Sequence, residues 1–248
     1  MSADPTSDLL MPLHSPPFGG LPFPMLDFKT VMVEFTADVD EIARITPAPF
    51  EPEGNTLYAF IADNRQLSHS MAYHEAGILQ KVTYKGRNAV TLPYIWTSTD
   101  TAMLAGRELF GMPKLMCDEA GHLAAAANEV SGSLVKNGRT MFELGIVIQE
   151  QGGVEDLPFG AEWVFVRHIP SPDPRRPAIR QVVWVELEDF ELKECWLGRG
   201  WLDLSYPSSS CIHRLEARVG SRAWYGHFSW LLNHAKILEE TELAARGV

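Results

Sequence analysis

The sequence predicts an α+β protein that is mainly antiparallel β, a sheet or barrel with peripheral helices. Three observations support this fold class. Several segments alternate apolar and polar residues with the period of two that a half-buried strand requires. Asn137-Gly138 separates two such segments, and this dipeptide is typical of a type I′ hairpin turn. Helical patterns are few, which argues against a doubly wound parallel sheet.

The first elements predicted along the chain are an arm, a helix and three strands. Residues 1–24 are rich in proline and glycine, and we expect an arm that lies against the domain or is partly disordered. Asp38 is a candidate N-cap of a helix, because Glu41 follows three residues later and Pro47 ends the pattern. The strand-like segments that follow are TLYAFIAD at 56–63, LQKVTYK at 79–85 and NAVTLPYIWTS at 88–98.

The second half contains the clearest hairpin, at 133–149, and a long strand. In QVVWVELEDFELKECW, residues 181–196, the apolar residues change from odd to even positions, which predicts a bulge near Glu188–Asp189. The segment SPDPRRP, 171–177, is predicted to be a loop. The segment 228–238 is predicted to be a helix, because its apolar residues fall on one helical face: Phe228, Leu231, Leu232, Ala235 and Leu238.

Composition excludes several classes of function. The 248 residues carry a net charge of −11 and no basic stripe, so we expect no nucleic-acid partner and no electrostatic binding to membranes. The longest apolar runs are too short for a membrane span. Three widely spaced cysteines favour a reducing, cytoplasmic location. The eight histidines, His69 and His74 included, show no metal-ligand spacing, and no cofactor motif is present, so we expect neither a metal nor a cofactor.

The segment GRELFGMPKLMC, residues 106–117, places one lysine among apolar residues. Lys114 either extends to water, with its stem on apolar surface, or is desolvated so that its neutral amine can act as a nucleophile. Glu75 and Glu108 are the acidic residues that could serve such an amine. Arg107 and Glu108 could equally form a structural ion pair beside a turn at Gly106.

The same segment resembles the signature of the acetoacetate decarboxylase family, in which GRE and a Pro-Lys pair lie within a few residues of each other. Other parts of the chain resemble that family in the same order, namely TADVDEIARITPAPFEPE at 36–53, YHEAG at 73–77 and LKECWLGRGWLDLSYPSSSCIHRLEARVG at 192–220. The resemblance implies one domain, 1–248, folded as a cone-shaped, mostly antiparallel barrel with a buried lysine. It also implies a homo-oligomer, a tetramer or larger, for which the aromatic-rich segment 221–230 offers a candidate interface.

The resemblance implies roles for individual residues. Lys114 matches the Schiff-base lysine and Glu75 the pocket glutamate, while Met112 stands where the family has an aromatic residue. Three further positions depart from the family: Leu115 replaces the second of two tandem lysines, Phe28 an arginine and Ile61 a second glutamate. The predicted substrate-binding residues are Phe28, Ile61, Met112, Tyr94, Arg107 and Glu108.

These departures affect the expected chemistry. Acetoacetate decarboxylase is itself the standard example of a lysine activated by a neighbouring cation. Here that cation is missing, so we expect apolar neighbours to lower the pKa of Lys114 towards neutrality by desolvation. The loss of polar anchors favours a larger or aromatic oxo-acid, or pyruvate with an aldehyde as second substrate.

The predicted function is that of a Schiff-base lyase acting on a small oxo-acid, pyruvate or a β-keto acid, through an enamine. The outcome is aldol condensation and dehydration, or decarboxylation, without efficient acetoacetate decarboxylase activity. Three alternatives stay open: an acetoacetate decarboxylase proper, a non-catalytic barrel that binds a small ligand, and a hydrolase without covalent catalysis.

Overall fold

Seven strands form a closed ring of hydrogen-bonded neighbours in the computed structural model, which describes residues 10–65, 72–120, 123–207 and 210–244. The order around the ring is β4-β3-β2-β1-β12-β11-β10, and β10 also contacts β4 through the single parallel pair Trp163–Val90. All other ring pairings are antiparallel. This confirms the predicted mainly antiparallel fold with few helices, although the ring is not a regular barrel.

The strands have the following bounds: β1 Phe23–Thr36, β2 Glu51–Asn64, β3 Tyr73–Tyr84, β4 Arg87–Thr97, β5 Lys114–Met116, β6 Glu119–Ala120, β7 Ala124–Ala126, β8 Glu129–Lys136, β9 Arg139–Gln151, β10 Glu162–Ile169, β11 Ala178–Asp203, β12 Arg218–Leu232 and β13 Lys236–Leu243. The helices are α1 Val39–Ile45 and α2 Asp100–Ala105, and α2 continues into a π-helical turn, Gly106–Phe110. In the described ranges, 3₁₀ turns cover Val154–Asp156 and Ile212–Leu215.

Local sequence signals explain several of these boundaries. The Asp38 carboxylate accepts hydrogen bonds from the first backbone N–H groups of α1, and the helix ends before Pro47. Asn137 and Gly138 both have positive φ, as a type I′ turn requires, so the predicted hairpin of β8 and β9 is confirmed. The register of β11 shifts after Glu188, where the predicted bulge is also confirmed.

The two faces of the ring strands bury different cores. On β1, Phe28 and Met32 belong to the cluster that faces the inside of the ring, while Val31 and Val33 belong to a second cluster on the outside. Strands β8 and β9 cover that second cluster with Leu134, Phe142, Leu144 and Ile146. Because both faces are covered, β1 shows nearly continuous burial rather than strict alternation.

The predicted helix at 228–238 is wrong. Residues 228–232 are the end of β12, which pairs with β1 and β11, and β13 follows from Lys236. The apolar residues Phe228 and Leu232, with Trp230 between them, also fit a period of two, and all three side chains face the inside of the ring. Leu238, assigned to the buried helical face, is 37% exposed. Short apolar segments fit both periods, and here the partner strands decide between them.

Two aromatic residues of the segment 221–230 are buried, whereas a candidate interface was expected to expose them. Trp224 and Phe228 are 1% and 2% exposed, so they belong to the interior and offer no surface for a partner subunit. The N-terminal arm contributes to the same interior: Phe18 is buried and packs edge-to-face on Phe23, where β1 already begins. Residues 1–9 of the arm lie outside the described residues. No helix in the described ranges is both long enough and apolar enough to cross a membrane.

Candidate active site

The inside of the ring is a cavity of about 920 Å³, counting the part that opens to solvent. All seven ring strands contribute side chains to its wall, and α2, the π-helical turn and β5 close one side. Most of the wall is apolar or aromatic. Lys114 is the only cation and Glu75 the only anion among the described residues that line it. A charged pair within an apolar cavity is typical of a site built for chemistry or for a specific ligand.

Lys114 reaches this cavity because short-range contacts fix the segment that carries it. It begins β5, which runs parallel to β4 with Lys114 opposite Ile95. The guanidinium of Arg107 donates a hydrogen bond of 3.1 Å to the Lys114 carbonyl oxygen. The Lys114 stem lies directly on the backbone of Gly106, where an added Cβ would come within 2.7 Å of Cδ. The Gly-Arg part of the GRE motif therefore supports the lysine.

The π-helical turn sets the distance between Gly106 and Lys114. It ends at Gly111, which has a φ of +76° and packs on the backbone of Arg167, 2.8 Å from where a Cβ would stand. A residue with a Cβ would therefore be both strained and crowded at this position. The wide turn and the left-handed glycine together reverse the chain direction, so that the segment from Pro113 to Lys114 returns to α2.

Glu75 and Tyr73 meet Lys114 from strand β3. Lys114 Nζ lies 3.0 Å from Glu75 Oε2, and the Lys114 and Glu75 side chains are only 6% and 11% exposed. The same Nζ lies 4.9 Å from the centre of the Tyr73 ring. Tyr73 and Glu75 share one face of β3 because they are two residues apart. The geometry therefore forms a buried triad of amine, carboxylate and phenol.

Electrostatics in the triad correct the expected pKa of the lysine. Burial is the largest single influence and lowers the pKa of Lys114, but the Glu75 carboxylate and Tyr73 together outweigh it, so that the pKa is raised above its ordinary value. Burial, with a further contribution from Glu75, raises the pKa of Tyr73 to about 12. In the ligand-free protein Lys114 is thus an ammonium, and the expectation of a lysine that titrates near neutrality is wrong for this state.

Two of the six predicted substrate-binding residues line the cavity. Phe28 projects from β1 and Met112 from the segment between the π-helical turn and β5. Leu115, in contrast, is 42% exposed and points away from the cavity, since neighbouring residues on a strand face opposite ways. The replacement of a second lysine by Leu115 therefore adds no side chain to the wall.

Four predicted substrate-binding residues do not line the cavity. Ile61 is fully buried in the outer core, and its neighbour Phe60 occupies the wall instead. Tyr94 stacks on Trp96 in the same outer core, since it lies one position from the wall residue Ile95. Both corrections have one cause, the alternation of side chains along a strand, which turns a shift of one residue into a change of face.

Arg107 and Glu108 are the other two predicted substrate-binding residues that do not line the cavity. Both are largely exposed on the outer side of the π-helical turn. Arg107 acts on Lys114 through the backbone carbonyl rather than on the cavity.

Several wall residues were not predicted from the sequence. Tyr73 lies in the YHEAG motif, two residues before Glu75, and the period of two could have indicated it. The aromatic residues of β12, Phe228 and Trp230, were hidden by the wrong helical assignment. Within the described part of the chain, no three His, Cys, Asp or Glu residues lie close enough together to hold a metal ion. His69 lies outside the described residues.

Known proteins share both the sequence pattern and the fold of this chain. The sequence model of the acetoacetate decarboxylase family matches residues 10–241. The chain belongs to this family. A relative from Mesorhizobium japonicum, acetoacetate decarboxylase 3, is 26% identical over 199 residues, which are 78% of this chain and 76% of the relative.

Two solved structures show the same acetoacetate decarboxylase-like fold. One is an acetoacetate decarboxylase, with a TM-score of 0.83 and 18% identity over 94% of this chain and 95% of that one. The other is the enduracididine biosynthesis enzyme MppR, which binds the condensation product of pyruvate and imidazole 4-carboxaldehyde. Its TM-score is 0.79 and its identity 20%, over 93% of this chain and 95% of MppR.

Proposed function

We propose that the protein is a Schiff-base lyase that acts on an oxo-acid at Lys114. One observation carries the proposal: a buried lysine whose Nζ lies 3.0 Å from the Glu75 carboxylate, on the wall of an otherwise apolar cavity. A buried charged pair has a high cost in desolvation, and apolar residues of similar volume would stabilise a fold as well. A retained pair of this kind at a cavity is a candidate nucleophile and base.

Glu75 supplies the nucleophile by accepting the proton that Lys114 holds at rest. Transfer from Nζ to Oε2 turns the ammonium and the carboxylate into a neutral amine and a neutral acid, so that both charges disappear together. A ligand that fills the cavity and displaces water favours this transfer, because desolvation penalises the charged forms. The raised pKa of the free lysine is thus compatible with catalysis, since the base already contacts the proton.

Imine formation follows from this state. The amine attacks the carbonyl carbon, and Glu75 returns its proton to the leaving hydroxyl group, which departs as water. The product is a protonated imine on Lys114 next to the Glu75 carboxylate, so the total charge of the site is unchanged. The iminium then draws electrons from the adjacent carbon, where a bond breaks and an enamine forms.

Two reactions can proceed through this iminium and enamine. With a β-keto acid, the bond to the carboxylate breaks and carbon dioxide leaves. With pyruvate, Glu75 removes a methyl proton, and the enamine attacks an aldehyde to give an aldol product that then loses water. The sequence relatives and the structural neighbours support both outcomes, because the former include acetoacetate decarboxylases and the latter include MppR with its pyruvate condensation product. We retain the expectation that acetoacetate itself is a poor substrate.

Borohydride trapping tests the proposal. The protein is incubated with acetoacetate, with pyruvate, and with pyruvate plus an aromatic aldehyde, then reduced and analysed by peptide mass spectrometry. We expect an irreversible adduct on Lys114. Lys236→Met is the control variant, because Lys236 lies on the surface and is 65% exposed in its pair with Glu186. It should be trapped like the natural protein, while Lys114→Met should not.

Other results would point to the alternatives. Absence of an adduct from every carbonyl compound, with Lys114 modified no faster than other lysines, would contradict the proposal and favour a ligand-binding role. Full activity of Lys114→Met would favour a hydrolase. The expected homo-oligomer is a separate proposal, and light scattering that finds only a monomer at micromolar concentration would overturn it.

A further inference from the structure

One side of the cavity is a continuous set of ring contacts, which we call the aromatic wall and define as Phe28, Phe159, Trp163, Phe228 and Trp230. Phe28 contacts Trp230 at 4.6 Å and Phe228 at 5.5 Å between ring centres. Phe159 links Phe228 to Trp163 at 5.8 Å and 6.0 Å. Rings in these stacked and edge-to-face arrangements form a preformed surface for another aromatic group.

The register of the ring fixes the position of the aromatic wall relative to the triad. Tyr73 on β3 is opposite Asn64 on β2, Asn64 is opposite Phe28 on β1, and Phe28 is opposite Phe228 on β12. Neighbouring strands are about 4.8 Å apart, so Phe28 begins about 10 Å from Tyr73 along this row. A carbonyl carbon bonded to Lys114 Nζ, which already lies over Tyr73, would direct a substituent of phenyl or phenylalkyl size towards the aromatic wall.

The charges of the cavity limit where a carboxylate can go. Once Lys114 becomes the imine, no other cation remains among the described lining residues, and Glu75 repels an anion. The Thr30 hydroxyl is already used, because it donates to the Ile61 carbonyl at 2.9 Å. A carboxylate that is kept through the reaction has only the protonated imine and the Tyr73 phenol as partners in an otherwise apolar cavity, and Glu75 repels it, so its burial is costly. A carboxylate that leaves as carbon dioxide removes this cost, and apolar surroundings assist its departure.

We infer that the site selects a β-keto acid that carries an aromatic group on its ketone side, over acetoacetate and over pyruvate. This inference rests on the proposed function. In the reaction, the bond between C2 and the carboxylate breaks, and its electron pair enters the iminium to form the enamine. Glu75 then passes one proton from solvent to C2, and water hydrolyses the imine. Carbon dioxide and an aryl or arylalkyl methyl ketone leave, and Lys114 regains its ammonium.

The first test compares substrates. We expect kcat/KM for 3-oxo-3-phenylpropanoate or 3-oxo-5-phenylpentanoate to exceed that for acetoacetate by about 10-fold or more, in line with the discrimination that apolar pockets achieve. Trp230→Leu should reduce this preference. Trp201→Leu is the matched control, because Trp201 is 38% exposed on β11 and lies outside the cavity. Equal or better use of acetoacetate, or a preference that survives Trp230→Leu unchanged, would overturn the inference.

The second test separates aromatic recognition from imine chemistry. 1-Phenylethanol has no carbonyl group, so calorimetry measures its binding to Lys114→Met without any covalent step. We expect saturable binding that Trp230→Leu weakens and Trp201→Leu does not. Absence of binding to both Lys114→Met and the natural protein would overturn the aromatic selection even where trapping succeeds. Binding without any trapped adduct would instead overturn the proposed function and leave aromatic recognition standing.

Discussion

Lys114 Nζ and Glu75 Oε2 are 3.0 Å apart within a cavity whose other lining residues, among those described, are uncharged. The two residues are 39 positions apart in the chain, and each comes from a different strand of the same sheet. Each charge is stabilised mainly by the other, so changes at either residue have consequences for stability as well as for reactivity.

A double-mutant cycle should reveal this dependence. Lys114→Met leaves the Glu75 carboxylate buried without a cation, and we expect the free energy of unfolding to fall by about 3–5 kcal/mol. Glu75→Gln combined with Lys114→Met removes both charges and should recover much of that loss. Urea denaturation of the natural protein, of Lys114→Met, of Glu75→Gln and of the double variant measures the cycle. Additive effects of the two changes would contradict direct coupling.

Glu75→Gln should affect the lysine and the catalytic rate in opposite directions. Without the carboxylate, burial dominates and the pKa of Lys114 falls, so that acylating reagents modify Lys114 faster at neutral pH. Turnover should nevertheless drop by roughly 10²–10⁴-fold, because proton transfer during imine formation is lost. Peptide mass spectrometry and steady-state rates measure the two effects. Glu186→Gln, at a surface pair, is the control and should change neither.

Gly106→Ala should impair the reaction without unfolding the protein. The new Cβ would stand 2.7 Å from Lys114 Cδ, and the lysine stem must move away. A displacement of about 1 Å can cost roughly 10²-fold in rate. Alanine favours helical backbone over glycine, so the turn itself should not be weakened. Gly19→Ala is the matched control, since its Cβ would meet nothing within 4 Å. Equal rates for both variants would show that the contact with Lys114 is unimportant.

Alkaline pH should destabilise the fold through the triad. The pKa of Tyr73 is about 12 in the folded protein against an ordinary value of 10.0, so above pH 10 the unfolded chain loses a proton that the folded protein retains. The contribution of Tyr73 to the free energy of unfolding is complete below pH 10 and is lost as the pH rises towards 12. Two pKa units correspond to about 3 kcal/mol.

The raised pKa of Lys114 acts with the same sign, since the folded protein keeps that proton at pH values where the unfolded chain releases it. Tyr73→Phe should therefore flatten the decline of unfolding free energy measured between pH 9 and pH 12, without removing it. An unchanged slope would contradict a buried, neutral Tyr73.

The sequence by itself determined the local elements of this protein. Asp38, Asn137-Gly138 and the change of parity near Glu188 specify a helix start, a turn and a bulge through interactions within a few residues, and such signals can be recognised without the rest of the fold. The apolar setting of Lys114 and its resemblance to a family signature likewise indicated the residue on which the proposed chemistry depends. Apolar spacing failed at 228–238, where it suits a helix and a strand equally.

Only the tertiary structure decided what depends on distant partners. The pairing of β12 with β1 and β11 made residues 228–232 a strand and brought Phe228 and Trp230 into the cavity. The face of each strand put Phe60 rather than Ile61 on the wall. The pKa of Lys114 depends on a carboxylate from β3, and local sequence carries no information about that distance. Burial and charge act between residues that are distant in the chain. Their combined effect on the pKa of Lys114 therefore follows only from the folded structure.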